Sequence, residues 1–333
     1  MDPDNTRRHP PANGSEEGSS RARSLAPLAS GVVAAVIIAL VAVALVVGSR
    51  GDGAQPTSAP LTAEPSAPAP AEPGPGETSR ASGTAGNGQE LSGVPVYWVG
   101  QSKTRFWLYR EFRDVPDVGG LVASAVAAMT RDKPLDPDYS NPWEPATSVK
   151  VTQHGGDIAV DLSADAFSSH QVGSEVAALA IQQLVYTATG AASVAGTPAS
   201  SVTITVDGGP YDAWGVVRVG EPVSRSPVTE VQAPTWVLSP TQGEVVPAGE
   251  VSFSGYGTAF EGTFLWEVRN GSGAVVANGS THGGSMGTYG AFSFAADLPP
   301  GQYTVEVYQP DESGGESPEG PRMYPDTKDF TVR

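Results

Sequence analysis

Hydrophobic and polar positions divide the chain into three textures. Residues 29–48, ASGVVAAVIIALVAVALVVG, form one unbroken uncharged apolar run. Twenty residues at a helical rise span ~30 Å, the hydrocarbon thickness of a bilayer, which predicts a transmembrane helix over 25–48. Arg7, Arg8, Arg21 and Arg23 precede it, and this excess of arginine favours a cytoplasmic N-terminus and an external C-terminal part. The run is longer than a signal-peptide core and no A-x-A site follows it cleanly, which favours an uncleaved anchor over a cleaved leader. Residues 1–24 have no apolar period and are expected to be a disordered head. Residues 49–92, with PTSAPLTAEPSAPAPAEPGPGE, cannot build a core and read as a Pro/Ala/Gly/Ser-rich tether. The Arg50-Gly51-Asp52 triplet lies too near the membrane to serve as an adhesion motif.

From residue 93 onward, short periodic segments recur. VPVYWVG (94–100) and RFWLYREF (105–112) read as paired strands, followed by a helix over 120–130 with Leu121, Ala125, Ala128 and Met129 on one face. Residues 131–147 read as a polar, proline-punctuated loop. SVKVTQ (148–153) and DIAVDL (157–162) flank a glycine turn and predict a hairpin. A second helix is expected over 175–189, capped by Ser174 and stopped by Gly190, before the alternating strand SVTITV (201–206). This gives an α+β unit over 93–222. Residues 231–333 contain no helical period. Strands are expected at 235–238, 250–255, 263–268, 274–279, 290–297, 302–308 and 329–332, the pattern of an immunoglobulin-like β-sandwich. The joint EPVSRSPVTE (221–230) is short and proline-flanked, which predicts limited swing between the units.

Composition narrows the functional classes. The chain has 333 residues and no cysteine, which removes thiol catalysis, disulfides, lipid attachment through cysteine and thiolate metal sites. The net charge of −17 resides mostly beyond residue 90 and disfavours nucleic acid and anionic lipid as partners. Of four histidines, His154 with Asp161 and Ser163 is the one conceivable relay. His154 sits at the turn of the hairpin and the other two at its far end, and no G-x-S-x-G elbow exists. No catalytic residue is therefore assigned.

Two acidic segments resemble cation sites. Asp136-x-Asp138-x-Ser140 begins like a calcium loop but lacks its glycine and its closing glutamate. The turn carrying Asp311, Glu312, Glu316 and Glu319 is the other. A polar loop and a solvated connector describe them better, and neither metal nor cofactor is assigned. Aromatic residues are dense in the first unit, with Tyr97, Trp98, Phe106, Trp107 and Tyr109 on two strands and Tyr139 and Trp143 in the long loop. Trp143, among Pro142, Glu144 and Pro145, is hardest to place in a core. Trp143 and Tyr139 are the candidate binding residues.

YWVG, LYREF, VKVTQHGGDIAVDLSADAF (149–167), QLVYTATG (183–190) and SVTITVDGGP (201–210) resemble the GerMN domain of sporulation and germination proteins. SPTQGEVV (239–246), VSFSGYGTAFEGTF (251–264) and the closing DFTV are similar to the immunoglobulin-like domain of bacterial spore germination. An anchor and spacer before this tandem look like actinobacterial envelope proteins. The resemblance implies a non-enzymatic module outside the membrane, binding a cell-wall polymer or an envelope protein. An accessory subunit modulating a sensor kinase or secretion complex, through a Gly31–Ala35 small-residue face, is the alternative. A hydrolase is the least favoured reading.

Overall fold

The computed structural model describes residues 89–170 and 172–333. The expected head and transmembrane helix, and the tether as far as residue 88, lie outside them. Among the described residues no helix is long and apolar enough to cross a membrane.

The first domain opens with β1 (Glu90–Gln101) and β2 (Phe106–Pro116), antiparallel across a tight turn. β1 starts inside the expected tether because Leu91 is buried and pairs with Val115, so the tether ends before residue 90. α1 (Leu121–Arg131) follows, and the long loop after it contributes β3 (Tyr139–Ser140), which joins the outer edge of β1. β4 (Val149–His154) and β5 (Asp157–Leu162) form the predicted hairpin, with Gly155 supplying the positive φ of 60°. α2 (Ser174–Val194) crosses over to β6 (Ser201–Val206), which lies parallel to β5. Short strands β7 (Tyr211–Ala213), β8 (Val217–Val219) and β9 (Pro222–Ser224) complete the domain, β9 closing the sheet β4-β5-β6-β9.

Two expectations for α2 fail. Ser174 is the first helical residue, after Gly173, and Gly190 lies inside the helix. The residues beyond Gly190 are small and uncharged, so the helix runs another turn across the domain core. A Cβ on Gly190 would sit at ordinary contact distance from Pro95 and Tyr97, so neither space nor backbone demands glycine there and the helix continues through it. Gly100 of the YWVG strand is stricter. A Cβ there would meet the Tyr109 ring at 2.5 Å, so only glycine admits Tyr109 and Tyr139 stacked at 4.4 Å.

α3 (Val228–Val231) leads into the second domain. Its strands are β10 (Thr235–Ser239), β11 (Glu244–Val246), β12 (Gly249–Ala259), β13 (Thr263–Asn270), β14 (Val275–His282), β15 (Gly284–Ser285), β16 (Gly290–Leu298), β17 (Gly301–Pro310) and β18 (Arg322–Val332). They form a sandwich of β10-β12-β16 against β11-β18-β17-β13-β14. Phe253, Phe264, Trp266, Phe292 and Phe330 fill its centre. β18 is the longest departure from expectation, beginning seven residues before Asp329.

The two domains share a core. The cluster centred on Trp98, Met129, Ile158 and Leu184 continues without a break into Trp236, Tyr256 and Tyr289 of the sandwich. The joint is fastened as well: Ser226 N–H donates to Gln182 Oε1 at 2.8 Å, and Tyr186 Oη donates to Ser226 O at 2.7 Å. Ala233 N–H then donates to Leu108 O at 3.0 Å, which extends the edge of β2 into the second domain.

Candidate functional site

The two acidic segments singled out from sequence converge on the seam between the domains. Glu111 on β2 begins the construction. Its carboxylate accepts the N–H groups of Leu135 and Asp136 at 3.0 Å and a guanidinium contact from Arg113 at 3.1 Å. This pins the start of the long loop and directs Asp136 across the seam. Asp136 Oδ1 accepts the Asp138 N–H at 2.8 Å, while Oδ2 lies 2.5 Å from Lys328 Nζ on β18.

Lys328 is the hub. Its ammonium also donates to Tyr139 Oη at 2.7 Å, to Asp326 Oδ2 at 3.0 Å and to Thr327 O at 3.0 Å. Tyr139 Oη in turn donates to Asp326 Oδ1 at 2.6 Å, and Val237 N–H donates to Asp326 Oδ2 at 2.6 Å. Asp136, Asp326 and Lys328 are each under 5% exposed. Burial alone would neutralise Lys328, but the carboxylates of Asp326 and Asp136 override it and hold the amine above its ordinary range. Burial raises the Asp136 carboxyl against the pull of Lys328. Burial, reinforced by Asp326 and Asp136, likewise raises the Tyr139 phenol, which stays a donor at any physiological pH.

Glu319 makes the second contact. It lies between β17 and β18, and its side chain is buried at 1% exposure against the turn between β1 and β2. There it accepts Ser102 Oγ at 2.9 Å, Thr104 N–H at 3.1 Å and Lys103 N–H at 3.3 Å, and the Thr104 hydroxyl also donates to it. Lys103 Nζ reaches the Glu319 carbonyl at 2.7 Å. Asp311, by contrast, stays at the surface. It accepts Ser313 Oγ at 2.5 Å, Ser313 N–H at 2.9 Å and Gly315 N–H at 2.8 Å. Asp136 and Glu319 are thus spent on protein donors, and among the described residues no His/Asp/Glu cluster is arranged to hold a metal.

The candidate binding residues are placed otherwise than expected. Trp143 is 4% exposed and packs against Phe167 and Trp214 at 5.0 Å each. Its flanking polar residues line the surface while the indole completes the first core, so it offers no ring to solvent. Tyr139, 7% exposed, belongs to the Lys328 cluster. The relay is dismantled too. Ser163 Oγ accepts Ser148 N–H at 3.0 Å and donates to Asp165. Asp161 accepts Thr205 Oγ1 and Gly208 N–H at 2.8 Å each, and His154 pairs with Asp157 at the opposite end of the hairpin.

Family models match the two domains separately. Residues 95–212 match "Sporulation and spore germination", and residues 235–316 match "Immunoglobulin-like domain of bacterial spore germination". The two matches follow one another in that order along the chain. Neither match reaches Glu319, Asp326 or Lys328, so the sandwich side of both seam contacts lies beyond the matched residues.

Among solved structures, the chain is similar to CopC from Methylosinus trichosporium OB3b, at 18% identity and TM-score 0.22, covering 29% of this chain and 92% of that one. It is also similar to the CARDB domain of a Pyrococcus furiosus protein solved in complex with di-metal ions, at 14% identity and TM-score 0.21, covering 29% and 89%. An engineered protein matches at 16% identity and TM-score 0.25, covering 50% and 39%. No curated protein matches.

Glu319 belongs to the acidic turn that the sequence offers, whereas Lys328 and Asp326 carry no local motif. One signal was available: Asp326, Lys328, Phe330 and Val332 share one face of a strand at period two, so two charges continue a core-facing row.

Proposed function

We propose that the germination-type tandem is a non-catalytic binding or assembly body of the bacterial cell envelope, held outside the membrane by its N-terminal segment. Its partner would be a cell-wall polymer or another envelope protein. The observation that carries this reading is the shared core and buried Lys328 cluster, which make the two domains one preformed surface. Such a body suits binding, because little order is lost when a partner docks. The groups that could have supported hydrolysis are engaged in turns and strand ends.

Co-sedimentation of the full chain with purified peptidoglycan tests the polymer, and capture of a specific envelope protein from solubilised membranes tests the protein partner. Retention by neither, with the chain folded, would defeat the proposal. So would hydrolytic turnover lost on His154→Ala or Ser163→Ala with folding unchanged.

A further inference from the structure

Edge strands expose unpaired N–H and C=O groups, and proteins ordinarily guard them with charge, proline, brevity or a cover. Nearly every edge described here is guarded. β4 carries Lys150, and β9 is three residues long and opens with Pro222. β2 carries Arg110, Glu111, Arg113 and Asp114 and is covered at Leu108 by the interdomain joint. β10 gives its Val237 N–H to Asp326, and β11 is three residues long and starts at Glu244. β16 carries Asp297, and its Ser293 carbonyl accepts Thr281 Oγ1 at 2.7 Å.

β14 is the exception. It spans eight residues, VVANGSTH, pairs only with β13 among the described strands, and holds neither proline nor a formal charge. It lies in a run from Asn270 to Ala296 without Asp, Glu, Lys or Arg, inside a chain of net charge −17. Nearby charges on the same sheet cancel: Glu267 is paired with Arg269 and Arg322, and Arg322 with Glu306. Val276 is skipped in the β13–β14 register, so regular pairing covers Ala277–His282, where Asn278, Ser280 and His282 are exposed.

We infer that β14 is a self-association edge, pairing antiparallel with β14 of a second copy of this chain. Charge decides the occupant. Two copies of so acidic a chain repel over most of their surfaces, and the neutral edge is where they can approach. A two-fold antiparallel pairing is isologous and closes at the dimer, so it does not propagate into fibres. It would extend the five-stranded sheet across both copies through main-chain hydrogen bonds. Because each copy carries a net charge of −17 away from this neutral edge, the dimer tightens as salt rises. This inference does not depend on the partner proposed above.

The test is sedimentation equilibrium of the full chain in detergent across a salt series, with hydrogen exchange of residues 277–282. A dimer that strengthens with salt and protects these amides is expected. Asn278→Lys with Ser280→Lys places like charges across the pairing and should weaken the dimer about tenfold. Glu221→Gln with Glu312→Gln changes net charge equally at exposed sites away from the edge and should not weaken it. A chain that stays monomeric at high salt overturns the inference. So does a dimer indifferent to the two lysines, as one held by the apolar segment would be, or protection that appears only when a different polypeptide is added.

Discussion

Asp136–Ser140 and Asp311–Glu319 look alike in the sequence: each is acidic, polar and lacking apolar period. In the structure, Asp136 crosses the seam to an ammonium and Glu319 crosses it to hydroxyls and amides, whereas Asp311 folds its own turn. A carboxylate removed from water needs donors, and the source of those donors decides what it does. Where they come from another domain, the acid becomes a fastening. Local donors leave it a loop residue.

The largest break in this comparison is expected at Lys328. Lys328→Met leaves Asp136 and Asp326 buried with their ammonium gone, and should cost about 3–5 kcal/mol in urea unfolding followed by tryptophan fluorescence. Adding Asp136→Asn and Asp326→Asn should recover part of the loss, because the residual penalty is uncompensated charge rather than missing bulk. A loss under about 1 kcal/mol would show that water or a rearranged loop satisfies both carboxylates. Glu319→Gln comes next. The amide keeps one acceptor but loses the charge shared among Ser102, Lys103 and Thr104, for an expected cost of about 1–3 kcal/mol. An unchanged midpoint would reduce Glu319 to a passive neighbour of the turn.

The contrast also explains what could be read from the sequence. Strand alternation marked β5, β6 and most of the sandwich, since Ile158, Val160 and Leu162 each face one way at period two. Gly155 was legible because a tight hairpin needs positive φ. Trp143 was not. Its polar neighbours suggested a surface, but burial of a loop aromatic depends on Phe167 and Trp214, which are distant in sequence. The seam was illegible for the same reason. Asp136 and Lys328 are bonded across a separation of 192 residues, and no local period records that.

A smaller effect separates Asp311 from the two seam acids. Hydrogen bonds from Ser313, first its hydroxyl and then its N–H, hold the Asp311 carboxyl below its ordinary 3.8. A depressed folded value contributes stability that is present above the unfolded value and lost as pH falls through the folded one. Asp311→Asn should therefore shift the unfolding midpoint less than Glu319→Gln does at neutral pH. The difference from wild type should vanish in acid below that range. A difference that persists unchanged in strong acid would assign the effect to loop geometry instead of charge.

The smallest expected effect is that of calcium. A calcium loop stabilises the folded state by mass action, raising the midpoint progressively as the ion exceeds its dissociation constant. Here Asp136 Oδ2 is held by Lys328, Asp138 Oδ2 accepts Thr327 Oγ1 at 2.8 Å and Ser140 Oγ donates to Val99 O at 2.9 Å. An ion entering among them would have to displace an ammonium that two carboxylates stabilise and break the hydrogen bonds that join the domains. Millimolar calcium should leave the thermal midpoint of the wild-type chain where EDTA leaves it. The informative companion is Lys328→Met, which vacates the cationic position while keeping both acids. If calcium raises the midpoint of that variant but not of the wild type, the lysine occupies the place a cation would take. Stabilisation of the wild type itself would mean that the loop can open without losing the seam.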